Sequence, residues 1–463
     1  MKKAFADAEY FFAKAQTQYI KRTILNHINN KKIARKVYKM TPFQLKELLK
    51  AGELSRYSQL YDNIESQAER MISAIERFEE KYGSDRDIYL LSVPGRSEIL
   101  GNHTDHNRGK VMAGAINRDI ISVVAKNDKD QVRFFSEGYH ESVIGLGASS
   151  DPKNFRQFTS AALVAGMIRG FCDANYKVGG FDAYTTTEVL KGSGLSSSAA
   201  FEVMIGNILN HLYNDGQVDN KEIAKIAQFS ENVYFGKPCG LMDQMACAVG
   251  GFVYIDFADE KSPVVTPIRF FLGDHGYSLC IVNTGGSHSN LNDDYASVPA
   301  EMKAVAAALG GEVLRGKCKA QLIAKMPELR STLGDRAILR AMHFLSENDR
   351  VESAKIALKS GNIGEFFRNV RASGNSSYKF LQNVYTNQNV AEQGLSLALC
   401  LTEEFLGTHS GACRVHGGGF AGTIQAFIKN EDVSKYRALM DSVFGEGATM
   451  PLFVRPLGAT RLF

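Results

Sequence analysis

The sequence lacks several features that mark membrane-bound and exported proteins. No apolar run approaches the roughly 18 residues that a membrane-spanning helix needs. Residues 1–9 carry charges where a secretory signal requires an apolar stretch. The seven cysteines form no C-x-x-C pair, and an odd number suits no closed disulfide framework. We therefore expect a cytoplasmic protein with reduced, mostly buried thiols and no membrane partner.

Strong charge and tryptophan are also missing. The net charge of +4 is too small to indicate nucleic-acid binding, and the most basic run, residues 31–36, is typical of a solvated helix face. Without tryptophan, no ligand can stack on an indole ring. Hydrophobic residues make up 44% of the chain and charged residues 22%, which is typical of a globular protein. At 463 residues the chain is too long for one core, so two or three domains are expected.

The pattern of elements along the chain predicts three regions. Residues 1–60 predict short amphipathic helices that form an N-terminal helical extension. In residues 61–275, a helix at Ile64–Tyr82 and a strand at Ile88–Val93 are followed by alternating short strands and helices. In residues 276–463, long helices lie between an initial strand and two glycine-flanked strands. This mixture predicts an α/β (α+β) fold.

A loop rich in glycine and serine lies between a predicted strand, Phe181–Leu190, and a predicted helix, Ser196–Tyr213. Unpaired N–H groups and the positive end of the helix dipole form an anion site there, and serine hydroxyls can bind phosphate or Mg²⁺. A serine cap after a glycine turn is the simpler alternative. From Gly192 to Ala200, however, every position except one is Gly, Ser or Ala, which favours phosphate. The predicted phosphate loop consists of Gly192, Ser193, Gly194, Leu195, Ser196, Ser197 and Ser198.

Two common nucleotide-binding motifs do not account for the glycines. The loop lacks the G-x-x-x-x-G-K-[ST] pattern of a Walker motif. A second cluster, Gly417–Gly422, fits G-x-G-x-x-G. The alternating run Thr423–Ile428 after it predicts a strand where a dinucleotide-binding fold needs a helix. The sequence therefore does not predict a Rossmann fold.

Three charged residues are candidates for phosphoryl-transfer chemistry. Asp243 lies beside glycine in the apolar run Cys239–Gln244, where a carboxylate is either buried and paired or catalytic. Glu231 lies twelve residues earlier, on the predicted helix Asn220–Tyr234. Arg96 is the candidate positive partner. A carboxylate, a serine hydroxyl and an arginine are suitable parts for phosphoryl transfer, and a structural Asp–Arg pair is the alternative.

The segment Gly101–Asn107 is dense in polar groups. Its H-x-D-H sequence contains the side chains of a transition-metal site but has no compact partner such as H-x-x-x-H. A polar loop that hydrogen-bonds a hydroxylated ligand is therefore favoured. His288, Asn290 and Tyr295 form a similar cluster, for which a plain loop is the alternative.

These segments together resemble the galactokinases, a family of the GHMP kinases (galactose, homoserine, mevalonate and phosphomevalonate kinases). Gly95-Arg96 and Gly101–Asn107 resemble the signature G-R-x-x-x-x-G-E-H-T-D-Y-N, and Gly192–Ala200 resembles the phosphate loop G-L-S-S-S-A. Cys239–Gln244 is similar to C-G-x-M-D-Q, and Gly417–Gly422 to G-[AG]-G-F-G-G. The four motifs occur in the family's order, which is far more specific than any one of them.

The resemblance covers roughly residues 65–463. It implies a two-domain GHMP kinase fold with the active site in the cleft between residues 61–275 and 276–463. It also implies that ATP and Mg²⁺ are used to phosphorylate the anomeric hydroxyl of a galactose-like sugar. Ser198 and Glu231 would hold Mg²⁺, and the phosphate loop would bind ATP. Asp243 would orient or deprotonate the sugar hydroxyl, and Arg96 would keep Asp243 ionised. The implied sugar-binding residues are Asn102, His103, Thr104, Asp105, Gly240 and Tyr295.

The chain departs from the family pattern at several positions. Asn102 stands where the galactokinases have a sugar-contacting Glu, and His106 where they have Tyr. Because an amide does not repel an acidic sugar, we expect Asn102→Glu to improve or preserve activity on galactose and to depress activity on an acidic sugar such as galacturonate. Residues 1–60 have no counterpart in short galactokinases, and we expect their removal to leave the sugar and ATP constants unchanged.

The resemblance leaves the substrate and one other class of function open. Galacturonate, N-acetylgalactosamine and arabinose are the alternative substrates. A non-catalytic galactokinase-like sensor of sugar and ATP is the alternative function. Such sensors are altered within the Ser-Ser-Ser-Ala-Ala segment, whereas Ser196–Ala200 is complete here, which favours an enzyme. A small-molecule sugar is thus the expected partner.

Overall fold

Two β-sheets form the framework of the protein. The structure, a computed structural model, describes residues 40–189, 194–286, 291–407 and 411–463. The strands of this part of the chain are β1 (Tyr89–Leu100), β2 (Lys110–Lys126), β3 (Gln131–Ser136), β4 (Ser142–Gly145), β5 (Phe181–Thr187), β6 (Phe252–Asp256), β7 (Val264–Ile268), β8 (Tyr277–Asn283), β9 (Ala412–His416), β10 (Thr423–Lys429), β11 (Thr449–Leu452) and β12 (Thr460–Arg461).

The first sheet has eight strands and the second has four. The order in the first sheet is β12-β1-β2-β5-β3-β4, with β6 beside β2 and β7 beside β6. Its strands are antiparallel except for the parallel neighbours β3 and β5. The second sheet, in the order β11-β8-β10-β9, is antiparallel throughout.

Helices pack on both sheets, as the alternation of strands and helices predicts. Among the described helices, none has the length and apolar content of a membrane span. The α-helices of this part are α1 (Pro42–Lys50), α2 (Ile64–Tyr82), α3 (Ser160–Asp173), α4 (Ser197–Tyr213), α5 (Asn220–Phe229), α6 (Met242–Val249), α7 (Asn292–Ala308), α8 (Lys319–Thr332), α9 (Asp335–Lys359), α10 (Ile363–Ser376), α11 (Gly394–Leu406) and α12 (Val433–Phe444).

The first sheet is apolar on both faces because alternate residues of its strands point to opposite sides. In β2, Ile120 and Val124 join a core with α3–α6, whereas Ile121 and Val123 join a second core. That second core is closed by α2, α1 and the 3₁₀ turn Glu53–Leu60. Its leucines from the latter two elements are at most 2% exposed: Leu45, Leu49, Leu54 and Leu60. Residues 42–60 are therefore part of the packed fold.

Strand β1 bends where it reaches the phosphate loop. The predicted strand Ile88–Val93 is longer in the structure and continues to Leu100, with register shifts at Pro94/Arg96 and Glu98/Leu100. At the first shift the Arg96 N–H donates to the carbonyl oxygen of Leu195, 3.1 Å away. A Cβ atom on Gly95 would lie 2.7 Å from the same oxygen, so only glycine permits this approach.

The end of the chain returns to the first sheet. Strand β12 pairs with β1, and Arg455 is fully buried with its guanidinium 3.3 Å from Asp119. Arg70 of α2 contacts the same carboxylate at 2.8 Å. One buried aspartate therefore joins the helical layer, the sheet and the C-terminal segment. The domain boundary near residue 275 stays a prediction.

We predict that residues 42–60 are required for stability, which changes the expectation for removal of residues 1–60. A chain starting at Tyr61 should lose more than about 4 kcal/mol of unfolding free energy relative to one starting at Met40, because each buried leucine contributes about 1.5–3 kcal/mol. Chemical denaturation of the two truncations measures this difference. Equal stability of the two would contradict the packing described.

Candidate active site

An ion pair between a buried arginine and a partly exposed aspartate joins the bend in β1 to the first turn of α6. The guanidinium of Arg96 donates from Nε to Oδ1 of Asp243 and from Nη2 to Oδ2, each over 2.7 Å. The hydroxyl of Ser196 donates to the same Oδ2 at 2.5 Å. Burial raises the pKa of Asp243, but Arg96 and Ser196 together hold that pKa below its ordinary value. Asp243 is therefore an ionised carboxylate held by two donors.

The described part of the phosphate loop is shaped by the same pair. Nη1 of Arg96 donates to the carbonyl oxygen of Gly194 at 2.5 Å, and Leu195 is fully buried. Gly194 and Ser196 have φ values of +74° and +59°. Ser196 makes no side-chain cap to α4, because its hydroxyl bonds Asp243 instead. Ser196 is thus the N-cap residue of α4 without a side-chain cap, and its hydroxyl leaves the first-turn N–H groups of the helix unbonded.

Two members of the predicted phosphate loop, Gly192 and Ser193, lie outside the described residues. The next two serines, Ser197 and Ser198, form the first turn of α4. The predicted helix Ser196–Tyr213 is confirmed apart from its first residue, which is the N-cap. The loop therefore ends at a helix N-terminus, as the sequence predicts.

Glu231 and Ser198 form a second polar contact beside the loop. The Ser198 hydroxyl donates to Oε1 of Glu231 at 3.1 Å, and the ammonium of Lys237 lies 3.1 Å from the same oxygen. Gln244 donates to Oε2 at 2.7 Å. The predicted helix Asn220–Tyr234 ends earlier, at Phe229, and Glu231 lies in a π-helical turn, Ser230–Phe235, that follows. Such turns occur often at functional sites.

Sequence reasoning missed a second carboxyl group at this position. Glu202 is fully buried and accepts a hydrogen bond from Gln244 at 3.2 Å, so the amide bridges Glu202 and Glu231. Burial and the nearby Glu231 raise the pKa of Glu202 well above its ordinary value. Burial beside a second carboxyl group therefore disfavours the charged form of Glu202. Glu202 follows Ser198 by four residues on α4, and this spacing places the two side chains on the same face of the helix, which was the sequence signal for Glu202.

Asn102 and Thr104 hold the polar loop in place from inside. Asn102 is 1% exposed, and its amide donates to Glu98 at 2.9 Å and to the carbonyl of Gly417 at 2.7 Å. Its oxygen accepts from Asn383 at 2.6 Å. The hydroxyl of Thr104, also buried, lies 2.8 Å from two carbonyl oxygens of its own loop. Both side chains satisfy their polar groups within the protein.

His103 and Asp105 are more accessible and lie near other predicted residues. Nε2 of His103 lies 2.9 Å from the carbonyl of Gly418, and burial and His106 lower the pKa of His103 to about 4. A Cβ on Gly240 would lie 2.6 Å from Oδ2 of Asp105, so the loop touches the segment that leads to Asp243. Asp105 also pairs with His106 at 3.0 Å.

The transition-metal reading of the H-x-D-H sequence finds no support in the structure. Burial raises the pKa of Asp105, but its contact with His106 holds that pKa well below its ordinary value. In the ranges that the structure covers, no group of three or more His, Cys, Asp or Glu side chains could hold a metal ion. The weaker cluster is only partly described, because His288 and Asn290 lie outside those ranges.

The glycine loop Gly417–Gly422 meets the polar loop from the other side. Besides the contacts of Asn102 and His103, the hydroxyl of Tyr295 donates to the carbonyl of Gly419 at 2.8 Å. A Cβ on Gly419, whose φ is +82°, would lie 2.0 Å from the carbonyl oxygen of Asn383. Strand β10 follows the loop directly, which confirms the strand predicted there. The loop is thus a tight connector that brings residues from both ends of the chain together.

Comparisons with known proteins agree with this geometry. The models "GHMP kinases N terminal domain" and "Galactokinase galactose-binding signature" match residues 160–251 and 76–126. A galactokinase of Streptomyces coelicolor is 30% identical over 84% of this chain and 97% of that protein. A galactokinase of Actinobacillus pleuropneumoniae is 31% identical over 79% of this chain and 92% of that protein.

A solved structure shows the same fold. The crystal structure of Lactococcus lactis galactokinase complexed with galactose superposes with a TM-score of 0.71 at 24% identity. It covers 85% of this chain and 100% of that chain. The GHMP kinase fold predicted from the four motifs is thereby confirmed. With the sequence relatives and family models, this likeness establishes that the chain belongs to the galactokinase family of the GHMP kinases.

Proposed function

We propose that the chain transfers the γ-phosphoryl group of ATP to the anomeric hydroxyl of galactose or a closely related sugar. As a member of the galactokinase family the protein is a sugar kinase. The observation that carries the finer proposal is the pair formed by Arg96 and Asp243, which Ser196 links to the phosphate loop. A guanidinium and an ionised carboxylate at the end of an anion-binding helix are suited to phosphoryl transfer.

In this proposal Asp243 orients the sugar hydroxyl by accepting its hydrogen bond. A carboxylate whose pKa lies below its ordinary value is a weak base at neutral pH, so orientation and electrostatics outweigh proton storage. The bond that Oδ2 accepts from Ser196 is one that a sugar hydroxyl can replace. Arg96, fixed by Asp243 and Gly194, would balance the charge of the transferred group.

Ser198 and Glu231 would hold Mg²⁺. Their oxygens are 3.1 Å apart, close to the separation of about 3 Å between neighbouring ligands of an octahedral ion with bonds of about 2.1 Å. Lys237 lies on the same Glu231 oxygen, so this position accommodates a positive charge. Phosphate and water would complete the ligands. Mg²⁺ would neutralise charge on the phosphate oxygens.

The sugar would lie between the polar loop and the segment around Gly240. Asp105 would accept from ring hydroxyls, and His103 of the polar loop and Tyr295 of α7, which both contact the glycine loop, would line the same space. Asn102 and Thr104 are left out of the contact set because their polar groups are already bonded. Galactose is the leading substrate among the sugars considered. The cytoplasmic location stays a prediction from the sequence.

The first prediction tests the reaction itself. With ATP and Mg²⁺, a panel of free sugars should give ADP release in a coupled assay, with galactose among the best substrates. Asp243→Asn should lower kcat by more than about a hundredfold, because it removes the charge that faces the hydroxyl. Asp128→Asn, at an exposed position, is the matched control and should leave kcat unchanged. No ADP release with any sugar would favour the non-catalytic sensor, and wild-type turnover by Asp243→Asn would remove this residue from the chemistry.

The second prediction concerns the metal. Ser198→Ala and Glu231→Gln should each raise the Mg²⁺ concentration needed for half-maximal activity by at least about threefold, because each removes or weakens one hard oxygen ligand. Glu222→Gln on α5 is the control, since the side chain of Glu222 is 38% exposed and pairs with Lys225. An unchanged Mg²⁺ dependence in both variants would place the metal elsewhere.

The third prediction changes the expectation for Asn102→Glu. A glutamate at 102 would set a second carboxylate against Glu98 and against the carbonyl of Gly417, where the amide donates. We therefore expect kcat/KM for galactose to fall at least tenfold, about 1.4 kcal/mol. The exchange variant Glu98→Asn/Asn102→Glu restores one amide and one carboxylate and should recover activity to within about threefold of wild type. A fully active single variant, or an exchange variant without recovery, would show that the pair is unimportant.

A further inference from the structure

His416, at the end of β9, has a buried nitrogen that the fold does not use. The residue is 3% exposed, and its Nε2 atom has no hydrogen-bond partner among the described residues. Its other nitrogen, Nδ1, lies 2.8 Å from the hydroxyl of Thr423 on β10. Buried polar atoms are nearly always paired, and an unpaired one in a ligand cleft indicates a contact that forms only with the ligand.

The ring of His416 faces the phosphate loop. A Cβ atom placed on Gly194 would lie 3.4 Å from both Cε1 and Nδ1 of the imidazole. The Nδ1–Cε1 edge therefore faces the loop, and Nε2 is the next ring atom, bonded to Cε1. The carbonyl of Gly194 accepts from Arg96, which in turn holds Asp243. His416 thus lies against the loop's last glycine, near enough to Arg96 and Asp243 for their charges to act on its pKa.

The charge and tautomer of His416 suit a donor. Burial, followed by Arg96 and Arg414, lowers the pKa of His416 to about 3, so the imidazole is neutral at physiological pH. A neutral imidazole carries one N–H. If the Thr423 hydroxyl donates to Nδ1, the proton lies on Nε2. Phosphate oxygens only accept hydrogen bonds, so this tautomer is the one that pairs with them.

We propose that His416 contacts the substrate nucleotide, donating a hydrogen bond from Nε2 to an oxygen of the γ-phosphoryl group. This inference rests on the proposed function in that it takes ATP as the ligand of the phosphate loop. The alternative role for His416 is structural, through packing and the bond to Thr423. The γ-phosphate is favoured because His416 lies at the end of the loop that Arg96 and Asp243 occupy. No described side chain pairs with its Nε2.

Two variants separate the ligand role from the structural role. The amide of Asn at position 416 occupies the position of Nδ1 and can keep the bond to Thr423. It does not reach the position of Nε2 and supplies no donor there. Gln reaches the place of Nε2 with an amide N–H but does not reproduce the Thr423 bond. If the role is structural, His416→Asn should weaken nucleotide binding less than His416→Gln. If His416 binds the ligand, His416→Gln should weaken nucleotide binding less than His416→Asn.

The measurement is the affinity for Mg²⁺·AMP-PNP and for Mg²⁺·ADP by isothermal titration calorimetry, without sugar. His416→Asn should weaken AMP-PNP binding at least tenfold, about 1.4 kcal/mol, and change ADP binding less than threefold. His416→Gln should keep both affinities within about threefold of wild type. Equal losses for the two nucleotides, no loss for either, or a larger loss in His416→Gln would overturn the proposal.

A measurement on the wild-type protein covers the case in which the Asn variant does not fold. In protein labelled with ¹⁵N at histidine, the Nε2 signal of His416, assigned by its absence in His416→Gln, should shift on adding AMP-PNP but not ADP. An unchanged signal would overturn the proposal. Neither experiment needs turnover, so a chain that phosphorylates no sugar could still pass this test, and an active kinase could fail it.

Discussion

A bidentate ion pair between Arg96 and Asp243 ties the bend of the first strand to helix α6, and the phosphate loop is built around it. Arg96 also donates from Nη1 to the loop itself, at Gly194, while Ser196 donates to Asp243. Two charges of opposite sign are held in place before any ligand arrives, and such a preorganised pair need not reorganise during transfer. The close approach of Gly95 to the loop is what allows this geometry.

Charge is distributed so that the phosphate side of the site is not strongly negative. Two carboxyl groups, Glu202 and Glu231, share the amide of Gln244, and burial raises the pKa of Glu202. Lys237 compensates Glu231 from the accessible side. A like-charged pair of carboxylates would hinder the approach of a triphosphate, and the raised pKa of Glu202 works against such a pair.

Much of the fold and site could be predicted because the information is local. Glycine and serine runs mark the loop, the 3.6-residue period marks α4, and the order of four motifs identifies the family. What could not be predicted depends on contacts distant in the chain. The bond between Asn102 and Asn383 spans 281 positions, so no local pattern indicates that Asn102 is held within the framework. The packing of Leu54 against the sheet also depends on residues distant in the chain. For this reason the sequence predicts residues 42–60 as part of an extension, whereas the structure packs them into the fold.

The central claim is that the Arg96–Asp243 pair faces the reacting atoms, and a crystal structure with galactose and Mg²⁺·AMP-PNP tests it most directly. We predict the anomeric hydroxyl oxygen of galactose within about 3.2 Å of an Asp243 carboxylate oxygen, in a hydrogen bond that replaces the one from Ser196. Arg96 should remain paired to Asp243 and lie beside the γ-phosphate. A complex in which the hydroxyl lies away from Asp243, with the Ser196 bond intact, would contradict the account.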